Sequence, residues 1–184
     1  PGQHSMDRSH ALRLKGVRVG GISFSSDHDS GNIARVEQRG DNEFALWTAG
    51  DTGSLGGHRT WFSFAVRGAA HGRVLQFEIH NMSQHKLFRH NMKPVWRALP
   101  SRPDWSRVQQ AVPSFGTEAE PRFVLHICHK VQAKAEDTLY FAFCYPYTYS
   151  DCMARLAWLD TLFGQPPARV EPYTSMLDSG RKAS

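Results

Sequence analysis

Four segments of this chain alternate apolar and polar side chains with period two, the pattern of a β-strand with one face buried. In Trp61 to Arg67, the residues Phe62, Phe64 and Val66 share one face. In Val74 to Met82, Leu75, Phe77 and Ile79 do the same, with Gln76, Glu78 and His80 opposite them, so that face is expected to be partly wet. The link Gly68-Ala69-Ala70-His71-Gly72 is short enough to join neighbouring antiparallel strands. Arg122 to Val131 turns Phe123, Leu125 and Ile127 inward, and Thr138 to Tyr145 turns Leu139, Phe141 and Phe143 inward. Their aromatic and β-branched content makes these two the expected central strands, joined by the polar turn Gln132 to Asp137.

Weaker strand signals fill the rest. Val17, Val19, Ile22 and Phe24 predict a first strand interrupted at Gly20-Gly21, where a bulge or close packing fits. Ser25 to Asn32 is turn chemistry throughout. Ile33 to Gln38 and Glu43 to Ala49 read as a hairpin around Arg39-Gly40-Asp41-Asn42, in which Arg-Gly-Asp is a turn and not an adhesion motif. Ser83 to Pro113 is irregular, and its prolines at Pro100 and Pro103 argue for an ordered loop or edge strand. Trp96 and Trp105 are expected to pack that segment onto the core and not to form a stacking platform. About eight or nine short strands make an all-β fold, an antiparallel β-sandwich, with one C-terminal linker helix.

The periodicity changes in Phe141 to Asp151. Alternation ends at Tyr145, Pro146 cannot serve a central ladder, and the apolar residues then recur at Cys152, Leu156, Leu159 and Phe163, one helical stripe. Thr148 or Ser150 can cap this helix, Asp151 suits its first turn, and Gly164 with Pro166 and Pro167 ends it. The expected layout is a tag scar at 1–5, a sandwich over 6–146, a linker helix over 147–164 and a tail over 165–184.

At 184 residues the chain holds one domain with a sizeable core. Its formal charge of +5 comes without a Lys/Arg block of the kind that marks nucleic-acid arms, so no nucleic-acid partner is expected. No apolar run reaches the length of a membrane span and no leader precedes the first strand, so neither a membrane partner nor secretion is expected. Cys128, Cys144 and Cys152 are an odd number in strand and helix patterns, which fits free thiols in a reducing, cytoplasmic compartment.

Few residues of this chain group in ways that support chemistry. Asp27, His28 and Asp29 lack the regular spacing of a metal loop. His126, Cys128 and His129 are dense, but in a strand His129 points away from the other two, so they cannot hold one ion. The cysteines lie in segments that read as buried, and no nucleophile elbow, phosphate loop or dinucleotide fingerprint is present. The expected catalytic and metal-ligating residues are therefore none, and no cofactor is expected in this chain.

Four blocks together resemble the N-terminal region of cytosolic carboxypeptidases. They are Gly20-Gly21-Ile22-Ser23-Phe24-Ser25-Ser26 with Asp29-Ser30-Gly31-Asn32, then Arg59 to Gly68, Leu99 to Trp105, and Phe143-Cys144-Tyr145-Pro146-Tyr147-Thr148-Tyr149-Ser150-Asp151. The likeness is strongest to the member that removes branch-point glutamates from tubulin. It implies a non-catalytic sandwich followed by a zinc carboxypeptidase domain. There, a His and a Glu three residues apart and a later His hold zinc, and a further Glu acts as base. None of the ten histidines here is followed three positions later by Glu, so no zinc or catalytic residue carries over. The resemblance implies the catalytic domain in cis as partner, glutamylated tubulin tails as a second partner, and a cytoplasmic, microtubule-associated location. It makes Tyr145, Pro146, Tyr147, Thr148, Tyr149, Ser150 and Asp151 the candidate domain-junction motif. The rival reading is an independent ligand- or protein-binding sandwich module.

Overall fold

The computed structural model describes residues 14–51, 57–83, 86–116 and 122–164. The expected tag scar and tail lie outside the described residues. In chain order the elements are β1 (Val17–Val19), β2 (Ile22–Ser25), β3 (Ile33–Gly40), β4 (Glu43–Thr48), β5 (Ser63–Arg67) and β6 (Val74–His80). They continue with α1 (Lys86–Arg89), β7 (Val95–Leu99), β8 (Arg102–Arg107), β9 (Gln110–Phe115), β10 (Phe123–Lys130), β11 (Thr138–Ala142) and α2 (Tyr149–Phe163). Six strands form one sheet in the order β1-β2-β5-β11-β7-β8, and five form the other in the order β3-β4-β6-β10-β9. The sandwich is as expected, with eleven strands among the described residues where eight or nine were counted.

Aromatic rings from both inner faces fill the core. Phe64 and Phe141 stack with centroids 5.2 Å apart on the six-stranded sheet, and Phe77 from the other sheet lies 5.0 Å from Phe141 and 5.2 Å from Phe64. Phe24 and Phe44 close the layer at 4.9 Å. Tilted and edge-on contacts of this kind add to the area term, since ring edges meet ring faces.

Several expectations are corrected. Gly20-Gly21 is not a bulge but the two-residue turn of a hairpin, with φ of 58° and 75° and Val19 paired to Ile22. Two consecutive positive φ angles match the twist of the flanking strands and favour glycine at both positions. The Gly68 to Gly72 link does not join neighbouring strands, because β5 and β6 belong to different sheets. Their apolar faces bury against each other across the core instead of side by side. The sheets are also not wholly antiparallel: β4 and β6 run parallel, Phe44 pairing with Phe77 and Leu46 with Ile79.

The irregular segment after Ser83 contains three strands. Pro103 and Pro113 sit on β8 and β9, the edge strands of the two sheets, where a missing N–H disrupts no central ladder. Trp96, however, is not packing a loop: it stands on interior strand β7, 3% exposed, within the core. On β6 the wet face is only partial, since His80 is buried beneath Trp47, their rings stacked at 4.8 Å. Phe123 on β10 is half-buried, while Leu125 and Ile127 are fully inward.

The chain divides into two compact units between Pro146 and Tyr147. In the second, Thr148 is the N-cap of α2: the Asp151 N–H donates to Thr148 Oγ1 at 3.1 Å and the Thr148 N–H donates to Asp151 Oδ2 at 2.9 Å. This reciprocal box satisfies two donors that a bare helix start leaves open. Gly164, at φ 59°, ends the helix with its N–H on Asp160 O at 3.0 Å.

Candidate functional site

Three of the four sequence blocks converge at one end of the six-stranded sheet. Asn32, the residue before β3, donates from Nδ2 to Trp61 O at 2.7 Å and accepts at Oδ1 from the Ser63 N–H at 3.3 Å. Its own N–H donates to Ser63 O at 3.1 Å. Trp61 Nε1 donates to Ser30 O at 2.8 Å, and His28 Nε2 lies 3.1 Å from Ser63 Oγ. From the third block, the Phe143 N–H donates to Phe62 O at 2.9 Å and its ring lies 6.1 Å from Trp61. The turn folds tightly enough that a Cβ on Gly31 would stand 2.1 Å from Ser26 O, so only glycine fits. Asp27, His28 and Asp29 thus belong to a structural turn.

The fourth block, Leu99 to Trp105, turns at the opposite end, as Thr138 pairs with Leu99 while Ala142 pairs with Val95. There the Asp137 carboxylate accepts from Ser101 Oγ and, at 2.8 Å, from the Lys134 N–H. The Ser101 hydroxyl, ahead of the backbone donors, holds the Asp137 carboxyl below its usual range.

The tyrosine run begins where the three blocks meet. Tyr145 is 53% exposed, with the Arg107 guanidinium 5.0 Å from its ring, so it does not complete the sandwich core. In the helical unit, Tyr147 and Tyr149 are 68% and 73% exposed, and Thr148 and Asp151 form the cap. Burial pushes the Cys144 thiol up, against the pull of Arg107, so it is protonated near neutrality.

On β10, His126 is exposed, Cys128 half-buried and His129 fully buried, the alternation expected of a strand. Among the described residues no three His, Cys, Asp or Glu side chains converge as metal ligands. His126 instead lies 2.9 Å from Ser114 Oγ and 3.8 Å from Glu78, whose other oxygen contacts His80 at 3.1 Å. Burial lowers the pKa of His80, against the opposing pull of Glu78.

The model of the cytosolic carboxypeptidase N-terminal domain matches residues 24–144. This chain belongs to the cytosolic carboxypeptidase family. It is 37% identical over 191 residues to cytosolic carboxypeptidase-like protein 5 of Rattus norvegicus, a match taking in 89% of this chain and 22% of that protein. It is 31% identical to cytosolic carboxypeptidase 1 of Gallus gallus, over 77% of this chain and 13% of that one. The chain therefore spans about a fifth of the length of the first of these relatives. Among solved structures, a metallo-carboxypeptidase from Burkholderia cenocepacia shares the fold at TM-score 0.53 and 23% identity, over 79% of this chain and 34% of that one. One from Pseudomonas aeruginosa does so at TM-score 0.55 and 24% identity, over 75% and 33%.

Within the cytosolic carboxypeptidase domain, the converging hydrogen bonds lie inside the matched span, and Tyr145 to Asp151 follow it directly. In the sequence Asn32 stands only as part of a block, and its bonds to Trp61 and Ser63 are not legible there. A single polar residue immediately before a strand was the available signal, because Asn side chains readily bond backbone at strand and turn boundaries.

Proposed function

We propose that this chain is the non-catalytic N-terminal sandwich of a longer, cytoplasmic, microtubule-associated zinc carboxypeptidase that removes glutamates from polyglutamylated tubulin. The observation that carries the reading is the extent of the match: 89% of this chain corresponds to 22% of a carboxypeptidase-like relative. On this reading the zinc belongs to the catalytic domain in cis, and these residues take no step of the chemistry.

The sandwich's part is support and positioning. Tyr145, Pro146, Tyr147, Thr148, Tyr149, Ser150 and Asp151 form the junction, since large exposed rings beside a capped helix start suit packing on a neighbouring domain at little entropic cost. Three hydrogen-bonded blocks hold the base of that run rigid.

Glutamate release from polyglutamylated tubulin tests this. The 184-residue protein alone is expected to release none, and the longer protein containing it is expected to release glutamate until its zinc is chelated. Turnover by the 184-residue protein alone would overturn the reading. In the longer protein, Tyr147→Ala with Tyr149→Ala should lower both melting temperature and turnover; no change in either would remove the junction from this motif.

A further inference from the structure

On the outer face of the five-stranded sheet, polar side chains from β6, β9 and β10 stand in contact in one line. Glu78 on β6 and His126 on β10 are directly opposite each other, while Ser114 on β9 and His80 on β6 both pair with Val124, two residues back along β10. Because Phe77, Ile79, Leu125 and Ile127 turn inward, Glu78, His80 and His126 turn outward. Arg122 closes the line, its guanidinium 3.3 Å from His80 Nδ1.

The line has a direction, and Arg122 sets it. A guanidinium only donates, so His80 Nδ1 is the acceptor and its Nε2 carries the proton, donated to Glu78 Oε2 at 3.1 Å. That leaves Glu78 Oε1 for His126, 3.8 Å from its Nδ1, a contact that tightens when the imidazole takes up a proton. The carboxylate keeps the His126 proton on Nδ1 and leaves Nε2 bare, facing Ser114 Oγ at 2.9 Å. His80, buried beneath Trp47, anchors the closed end of the line, while His126 and Ser114 are exposed at its open end.

We propose that Ser114 is a nucleophilic acceptor site, its hydroxyl giving its proton to His126 and taking an acyl group from an activated ester. Ser114, His126 and Glu78 stand in the order of nucleophile, base and orienting carboxylate, with His80 and Arg122 as positioning residues behind them. In the step, the Ser114 Oγ proton passes to His126 Nε2, a bond forms from Oγ to the acyl carbon, and the bond from that carbon to the leaving oxygen breaks. The departing oxyanion takes the proton back from His126, and Ser114 is left as an ester. The competing acceptor for the hydroxyl, Val124 O, is farther away at 3.4 Å. Val112, exposed on the same face two residues before Ser114, offers a short acyl chain an apolar neighbour. The transfer is stoichiometric, so it goes beyond the positioning role proposed above without giving the sandwich a peptidase step.

The test is peptide mapping by mass spectrometry of the 184-residue protein after timed exposure to p-nitrophenyl acetate. Exposed Ser101, whose hydroxyl is held by the Asp137 carboxylate and not by an imidazole, is the internal reference. Ser114 should be acetylated at least about tenfold faster than Ser101, and His126→Gln should bring the two rates level. Glu78→Gln should slow Ser114 by about threefold or more, and Glu78→Asp, which keeps the carboxylate, should slow it less. Melting curves matched to the parent confirm that each variant is folded; His126→Gln, at an exposed position, decides the matter if the Glu78 variants are not. A Ser114 rate no greater than that of Ser101, an undiminished rate in His126→Gln, or acetyl resting on His126 in place of Ser114 would each overturn the proposal.

Discussion

Trp96 and His129 meet across the core with ring centroids 4.3 Å apart, one from each sheet. Phe141 closes the other side of the imidazole at 5.4 Å, and neither ring nitrogen of His129 has a hydrogen-bond partner among the described residues. Burial, with a smaller contribution from the charge of Arg102, pushes the His129 pKa down to about 4.

A histidine depressed in this way makes stability pH-dependent with a definite sign. The unfolded chain takes up its proton near pH 6.5 and the folded one only near 4, so stability falls as the pH drops through that window. At about 1.4 kcal/mol per unit, the loss attributable to His129 is about 3 kcal/mol by pH 4. His129→Leu should remove that part of the slope and, by eliminating two unsatisfied buried nitrogens, gain about 1 kcal/mol at pH 7.5. Urea titrations of parent and variant between pH 7.5 and 4.5 decide it; parallel slopes would place the titration elsewhere.

Asn32 makes two side-chain bonds to the backbone around Trp61 and Ser63, so Asn32→Ala should cost about 2 kcal/mol, leaving the Trp61 carbonyl and the Ser63 N–H short of partners. Gly31→Ala should cost at least as much, because its Cβ meets backbone and not a movable side chain. Urea midpoints for both variants, with an unaltered m-value, are the readout. A Gly31→Ala midpoint equal to the parent's would mean that the turn is not held in this geometry.

The Thr148 and Asp151 cap should be measurable in α2 itself. Thr148→Ala or Asp151→Ala should each weaken the helix by about 1 kcal/mol, and the double variant by less than the sum, since both singles break the same box. Hydrogen exchange of the first-turn amides checks this. Fully additive effects would argue against a reciprocal cap.

Phe141 touches Phe64, Phe77 and His129, so truncation opens a cavity that three elements border. Phe141→Ala should destabilise by about 4 kcal/mol and Phe141→Leu by about half of that. Thermal and urea unfolding give the comparison. A Phe141→Ala cost below about 1 kcal/mol would show that the core collapses around the gap.

Alternation settled much of this fold locally. Phe64, Leu75, Phe77, Leu125 and Phe141 were inward by period two and are inward in the structure, and the hairpin of β3 and β4 was legible from its turn residues. The change to helical spacing after Pro146 likewise located α2. Segments whose two faces are both buried escaped, because alternation vanishes when both neighbours are apolar: β7 carries buried Val95, Trp96 and Ala98 in a stretch that reads as a loop. Gly20-Gly21 was ambiguous for the opposite reason, since paired glycines serve a bulge and a turn equally well.

The sequence by itself determined which side of each regular strand faces the core and where the helix begins, because these depend on neighbours a few residues away; the choice of Thr148 over Ser150 as its cap was left to the structure. It also carried the family blocks. Only the tertiary structure decided which sheet each strand joins, that β4 and β6 run parallel, that Asn32 ties the turn before β3 to Trp61 and Ser63, and that Trp96 meets His129 across the core. Those are relations between residues far apart in the chain, and a strand's own periodicity contains its inward direction but not the identity of the strand beside it.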